Sequence, residues 1–137
     1  MRELFSAKAA VVHPLAWVIE PLEAEPTLVL RPMFGGKAVY LHGRFVLYLA
    51  MKQEPWRGLL VPTLREHQPA LRAERPALAP HPILGKWLYL PESAPSFEAD
   101  AAWLVARLRR RDPRIGIEPG GKRRKSAQGG PQSRKRG

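Results

Sequence analysis

The stretch that decides the fold of this chain contains two glycine turns between apolar runs, and it reads Arg31-Pro32-Met33-Phe34-Gly35-Gly36-Lys37-Ala38-Val39-Tyr40-Leu41-His42-Gly43-Arg44-Phe45-Val46-Leu47-Tyr48-Leu49. Glycine adopts positive φ angles without steric cost, so both glycine positions allow the chain to reverse direction. The runs beside them are rich in Val, Leu, Tyr and Phe, which is typical of β-strands. His42-Gly43 suits a two-residue type I′ turn. The stretch therefore predicts a meander of strands.

Further elements extend this meander into an α+β pattern. We expect strands over residues 27–31, 37–41, 44–50, 58–62 and 87–90, and helices over residues 3–12, 63–75 and 96–111. Residues 15–22 fit a helical turn and an extended run equally well. Thr63 followed by Glu66 matches a capping box at the start of the second helix. The chain is predicted to form a single α+β domain over residues 1–117, with an antiparallel sheet of about five strands and flanking helices.

Composition narrows the class of protein. Hydrophobic residues make up 45% of the 137 residues, enough for one core, and there is no cysteine for a disulfide, a thiolate metal site or a nucleophile. Residues 1–6 lack the apolar segment of a secretory signal, and no run approaches the roughly 20 apolar residues of a membrane span. We expect a cytoplasmic protein without membrane contact.

Positive charge is concentrated at the C-terminal end. The chain carries 23 Lys and Arg against 12 Asp and Glu, a net charge of +11. Residues 118–137 hold seven of the basic side chains and one acidic one, a net +6, and have no large apolar side chain. Such a segment cannot bury enough apolar area to offset its ordering entropy, so we predict a disordered basic tail over residues 118–137.

Clustered basic side chains are the candidate nucleic-acid contacts. They attract polyanions by releasing the counterions of the phosphates, and they are Arg107, Arg109, Arg110, Arg111, Lys122, Arg123, Arg124, Lys125, Arg134, Lys135 and Arg136. No recognition helix, zinc finger or RNA-binding aromatic motif accompanies them, so the expected binding is non-specific. The alternative interpretation is a tail that only keeps the protein in solution, and the sequence favours neither.

No catalytic constellation stands out. Gly35-Gly36 lacks the spacing of a phosphate-binding loop and is followed by a strand, so a turn is the better interpretation. The histidines at 13, 42, 67 and 81 do not pair at metal-ligand spacing, and solvated histidines are the expectation. We predict no catalytic residue, no metal and no cofactor. Trp17, Trp56 and Trp87 can form a stacking surface, but packing in the core is the commoner fate of such residues.

Met33-Phe34-Gly35-Gly36, the apolar strand after it, the His42-Gly43 turn and a second apolar strand together resemble the N-terminal domain of the TfoX/Sxy family. The late aromatic strand 87–90 and the helix that follows are also similar to that family. The resemblance implies an α+β fold with a curved antiparallel sheet, and it makes Met33, Phe34, Gly35 and Gly36 a structural motif. It also implies a link to regulation of DNA-uptake competence. The segment 53–82 departs from the family pattern, because it is longer and richer in proline than expected. The chain also lacks room for the separate C-terminal domain of full-length competence regulators, which argues against a direct competence role.

The expected function is a non-catalytic regulatory or interaction module that contacts nucleic acid through its basic tail. We expect Met33 and Phe34 to anchor the glycine turn in the core. Two alternatives stay open. One is a protein–protein interaction module that uses a sheet edge or residues 76–82, and the other is an enzyme of unrecognised type.

Overall fold

A computed structural model of the chain describes residues 13–119, which form one six-stranded antiparallel sheet with helices. The strands are β1 (Val29–Met33), β2 (Gly36–Leu41), β3 (Arg44–Met51), β4 (Arg57–Val61), β5 (Ala79–Pro80) and β6 (Leu88–Pro91). They lie in the order β1-β2-β3-β4-β6-β5, and every neighbouring pair is antiparallel. The α+β class is confirmed, and the short β5 adds a strand to the five predicted. The predicted helix over residues 3–12 lies outside the described residues.

Two tight hairpins build the first half of the sheet. Met33 pairs with Gly36 and Leu41 with Arg44, so each connection has two residues. The φ angles are 50° and 81° in Phe34-Gly35, and 52° and 77° in His42-Gly43. Positive φ at both central residues is what a type I′ turn requires, and this turn matches the twist of antiparallel strands. The prediction that these glycines turn the chain between strands is confirmed.

The helices begin at other residues than the sequence suggests. Thr63 does not cap a helix, because its hydroxyl donates a hydrogen bond to the Arg114 carbonyl 2.6 Å away. A 3₁₀ turn over Arg65–His67 leads instead into the helix α1 (Gln68–Glu74), which has Pro69 in its first turn. Proline is tolerated there because its missing N–H would have no partner in the helix.

The last helix, α2, spans Phe97–Arg109, within the range predicted for it. Ser96 precedes this helix, but its hydroxyl donates to the Asp100 carboxylate 2.7 Å away and caps no backbone N–H. A 3₁₀ helix over Ala16–Leu22 resolves the ambiguity at residues 15–22 in favour of a helical conformation. Among the described residues, the helices are all too short or too polar to cross a membrane.

The helices pack on one side of the sheet, which we call the helix-covered face. Val39, Leu47, Leu59 and Leu90 of the sheet point to this side and pack with buried side chains of α1, α2 and the first 3₁₀ helix. Burial of this aliphatic cluster stabilises the fold, because apolar area removed from water is worth about 25 cal/mol per Å².

The opposite side, which we call the aromatic face, carries a second cluster, to which no helix within residues 13–119 contributes. Its buried members are Ala38, Phe45, Tyr48, Ala50, Leu60 and Tyr89. Partly buried side chains surround them, among them Trp56 and Trp87. The side chains of one strand alternate between the two faces, so Leu59 and Leu60 of β4 belong to different clusters.

Candidate binding groove on the aromatic face

A groove of about 550 Å³ lies on the aromatic face. Phe45, Tyr48, Ala50 and Leu60 of the sheet line it. The remaining lining comes from three segments, which are the β1–β2 turn, the chain from Met51 to Trp56 and the chain from Leu84 to Trp87. A volume of this size suits a drug-sized ligand, since small-molecule pockets measure about 300–1,000 Å³.

Small residues make room for the groove. Ala50 contributes only a methyl group to the lining, and Gly36 contributes no side chain. A Cβ atom on Gly36 would lie 2.6 Å from the Tyr48 hydroxyl oxygen and would also collide with the Leu49 carbonyl. Glycine at this position therefore lets the Tyr48 ring lie against the β1–β2 turn, where the hydroxyl donates to the Met33 carbonyl at 2.6 Å. Burial raises the pKa of the Tyr48 phenol.

His81 connects two walls of the groove and is 1% exposed. Its Nδ1 atom accepts hydrogen bonds from the backbone N–H groups of Ile83 and Leu84, at 3.0 and 2.9 Å. Its Nε2 atom lies 2.7 Å from the Pro55 carbonyl. A nitrogen that accepts carries no proton, so Nε2 is the donor and the ring is neutral. The expectation of solvated histidines is wrong for His81, because these three backbone groups satisfy its polar atoms away from water.

A cluster of three rings, one pair tilted and the other edge-on, supports the Trp56 wall. The Trp56 ring centroid lies 4.3 Å from that of His81, and the His81 centroid lies 5.2 Å from that of Tyr89. The Tyr89 hydroxyl lies 2.7 Å from a Glu54 carboxylate oxygen and accepts the Arg57 N–H at 2.9 Å. Burial, then the hydrogen bond to Glu54, raises the pKa of the Tyr89 phenol. This ring cluster holds one side of Trp56 in place on His81.

The groove carries positive charge from two lysines. Lys52 and Lys86 are exposed side chains among its lining residues, and none of the described residues that line it is acidic. The Lys86 ammonium lies 5.6 Å from the Trp87 ring centroid, within the range of a cation–π contact. The Lys52 side chain passes close to Gly35, where an added Cβ would lie 2.6 Å from its Cε atom. An anionic ligand would meet two ammonium groups there.

The motif Met33-Phe34-Gly35-Gly36 borders this groove, with all four residues in its lining. The prediction that Phe34 anchors the turn in the core is wrong, because Phe34 is 83% exposed. Phe34 is the first residue of the two-residue turn, and the turn holds its ring outside the sheet. Met33 is half-buried against the aromatic cluster, in partial agreement with its predicted anchoring role.

The predicted arginine contacts lie elsewhere. Arg107 and Arg109 end α2, Arg110 and Arg111 follow it, and none of the four lines the groove. The Arg111 guanidinium lies 2.7 Å from Nδ1 of His42, and the Arg107 Nε atom lies 4.0 Å from the Asp112 carboxylate. The tail candidates Lys122, Arg123, Arg124, Lys125, Arg134, Lys135 and Arg136 lie outside the described residues.

Sequence reasoning missed the groove-lining lysines and the role of His81. Trp56 and Trp87 were recognised as a candidate stacking surface, but packing in the core was favoured. Both are half-buried and border the groove, so the surface interpretation fits better. The available signal was a lysine close to each tryptophan, Lys52 before Trp56 and Lys86 before Trp87.

Within residues 13–119, no group of three His, Asp or Glu side chains is arranged to hold a metal ion. Comparison with known proteins adds no assignment to this geometry: no protein-family model, no curated protein and no solved structure matches the chain. The resemblance to the TfoX/Sxy N-terminal domain therefore stays a prediction from the motif and the order of elements.

Proposed function

We propose that this protein is a non-catalytic interaction module that binds an anionic partner with a planar or apolar body in the groove on the aromatic face. One observation carries the proposal: the described residues that line this aromatic groove of about 550 Å³ include two lysines and no acidic residue. The resemblance to a family linked to transcriptional regulation favours a regulatory role for such binding. The arginines at the end of α2 and the basic tail would add non-specific contacts to a polyanion.

The chemistry of the groove favours binding over catalysis. Its ionisable lining groups are Lys52, Lys86 and Tyr48, and the Tyr48 hydroxyl is committed to the Met33 carbonyl. His81 lies behind the Trp56 ring, with both nitrogens hydrogen-bonded to the backbone. Acid–base catalysis needs a group within hydrogen-bond reach of the reacting proton, and this imidazole is engaged elsewhere.

A planar aromatic anion tests the proposal directly. Anilinonaphthalenesulfonate should bind the folded protein with a saturable rise in its fluorescence, because a ring and a sulfonate match the aromatic walls and the lysines. Ala50→Phe would place a ring in the groove and weaken this binding by about tenfold or more, which corresponds to about 1.4 kcal/mol. Ala73→Phe, at an exposed position of α1, is the matched control. Equal binding by the two folded variants would contradict the proposal.

A second candidate function has one specific observation in its favour. β1 is an edge strand, and its residues Val29 and Leu30 are each 44% exposed. An exposed edge offers unpaired backbone groups to an extended peptide, which can add to the sheet as a further strand. A protein partner isolated from native extract that is lost with Val29→Lys, but retained with Ala50→Phe, would favour this function over the groove.

A further inference from the structure

We infer that the groove on the aromatic face takes the bases of a single-stranded nucleic acid, with the phosphates facing Lys52 and Lys86. The inference deepens the proposed function and rests on it, because it names the anionic partner of the same site. Its basis is the arrangement of rings and charges around the groove.

Aromatic rings reach the groove from separate segments. Trp56 comes from the chain after β3, Trp87 from the chain before β6, and Phe34 from the β1–β2 turn. Trp56 is backed by His81, and Trp87 meets Phe45 edge-on at 5.4 Å between centroids. Every nucleobase has a π-face, so rings of this kind accept bases of any sequence by stacking.

The positive charge of the chain favours an anionic ligand over other planar or apolar ligands of the groove. Lys52 and Lys86 are exposed among the lining residues, where their ammonium groups can meet the phosphates of a strand that follows the groove. A second copy of this chain is also basic, with a net charge of +11 over its full length, so electrostatic repulsion disfavours self-association at this positively charged surface. An anionic strand with stacked bases matches both the rings and the lysines.

A single strand suits the groove better than a duplex. The bases of a duplex are stacked on one another inside the helix, so they cannot reach rings on a sheet face. Unstacked bases can be splayed out onto aromatic side chains. A free mononucleotide offers the same base and phosphate, so the experiment must separate a strand from its monomer.

The deciding variant is Phe34→Asn in the full chain. Phe34 has φ 50°, a conformation that asparagine tolerates better than phenylalanine, so the variant should fold at least as stably as the parent. Removing the exposed ring should weaken binding of a labelled oligonucleotide of about 12 nucleotides, measured by fluorescence anisotropy, by about tenfold. His42→Asn introduces asparagine at the equivalent position of the other hairpin turn, where φ is 52°. This position lies outside the groove, so the variant should leave binding unchanged.

Competitors and charge variants complete the test. Lys52→Gln combined with Lys86→Gln should weaken binding and flatten its salt dependence. A duplex of the same length, a mononucleotide and poly-L-glutamate should each compete about tenfold or more less well than the single strand.

If the mononucleotide competes as well as the single strand, the inference is wrong and the ligand is a free nucleotide. If poly-L-glutamate competes equally well, the inference is wrong and the partner is an acidic protein. Binding that survives Phe34→Asn but is lost when Lys122, Arg123, Arg124 and Lys125 are changed to Gln would place nucleic acid on the tail and overturn the inference. In that event, retained binding of anilinonaphthalenesulfonate that is blocked by Ala50→Phe would leave the proposed function standing. If neither the oligonucleotide nor anilinonaphthalenesulfonate binds in the groove, the inference and the proposed function are both refuted.

Discussion

The two faces of the sheet are built from the same strands, yet they differ in what fills them. On the helix-covered face, aliphatic side chains such as Leu59 and Leu90 interdigitate with helix residues and are completely buried. On the aromatic face, the neighbouring residues Leu60 and Tyr89 lie among large rings, and Ala38 and Ala50 stand between them. Among the described residues, those of this second cluster lie outside the helices, and the groove lies on this face.

The difference shows how one sheet separates stability from binding. Branched aliphatic side chains fill space at close to crystal density when helices supply the facing layer. Rigid rings beside methyl-sized side chains leave a groove, which no other element of the described part of the chain fills. The face that does less for the packing of the fold is therefore the one available for a ligand.

The largest expected effect compares two adjacent leucines of β4. Leu59→Ala should destabilise the protein by about 2–5 kcal/mol, because it leaves a closed cavity under the helices. Leu60→Ala should cost less, since Leu60 lines the groove and its removal enlarges a space that is already there. Urea denaturation of the two variants measures the difference. Equal losses would mean that the aromatic face is packed as tightly as the helix-covered one.

A smaller effect is expected at the glycines of the turns. Gly36→Val should destabilise the protein by about 1–3 kcal/mol, because its side chain would collide with Tyr48 and with the Leu49 carbonyl. Gly43→Ala is the comparison at the other hairpin. There φ is +77° but no atom lies within 4 Å of an added Cβ, so only the backbone cost of about 1–2 kcal/mol applies.

The Gly36 variant also reports on the groove, because displacement of Tyr48 changes its lining. Thermal unfolding and anilinonaphthalenesulfonate binding should therefore both fall for Gly36→Val, whereas only stability should fall for Gly43→Ala. Unchanged stability with lost binding for Gly36→Val would make the motif a ligand contact rather than a structural turn.

The smallest effects should come from pH, and they act on opposite sides of the sheet. On the helix-covered face, the Arg114 guanidinium is hydrogen-bonded to Asp112 and lowers the pKa of that carboxyl. Its stabilising contribution is present above about pH 4 and is lost as the pH falls through the folded-state pKa. Asp112→Asn should remove this loss of stability at low pH, measured as the urea midpoint. If the midpoint of the variant still falls with pH as in the parent, Asp112 is not the group responsible.

On the aromatic face the pH dependence has the opposite sign, because stability is lost as the pH rises. Burial raises the pKa of the Tyr48 phenol, so its contribution is present below about pH 10 and is lost as the pH rises through the folded-state pKa. Tyr48→Phe should cost about 1 kcal/mol at neutral pH, because the Met33 carbonyl loses its hydrogen bond. The variant should also lose the part of the alkaline destabilisation that comes from this residue.

Much of the fold could be predicted because its signals are local. The strands at 37–41 and 44–50 and the last helix came from alternation, glycine turns and helical spacing. β5 was missed because a strand of two residues, Ala79–Pro80, has no pattern to detect. The capping box at Thr63 was misleading because a tertiary partner, the Arg114 carbonyl, takes its hydroxyl.

The candidate site was predicted only in fragments. The motif at 33–36 and the tryptophans were noticed, yet their roles were assigned to the core. A period of two shows which residues share a face, but it does not show which face the helices will cover. The burial of His81 was equally hidden, because its partners at Pro55, Ile83 and Leu84 are assembled by the chain's return to the sheet.

The sequence by itself determined the two hairpins, the antiparallel α+β class and the positive charge, because turn conformation, strand alternation and composition depend on neighbouring residues or on simple counts. The tertiary structure alone decided that Phe34 is exposed, that Trp56 rests on His81 and that a basic groove lies on the aromatic face. These features depend on which distant segments pack together, and side-chain packing between distant segments is not encoded in any local pattern.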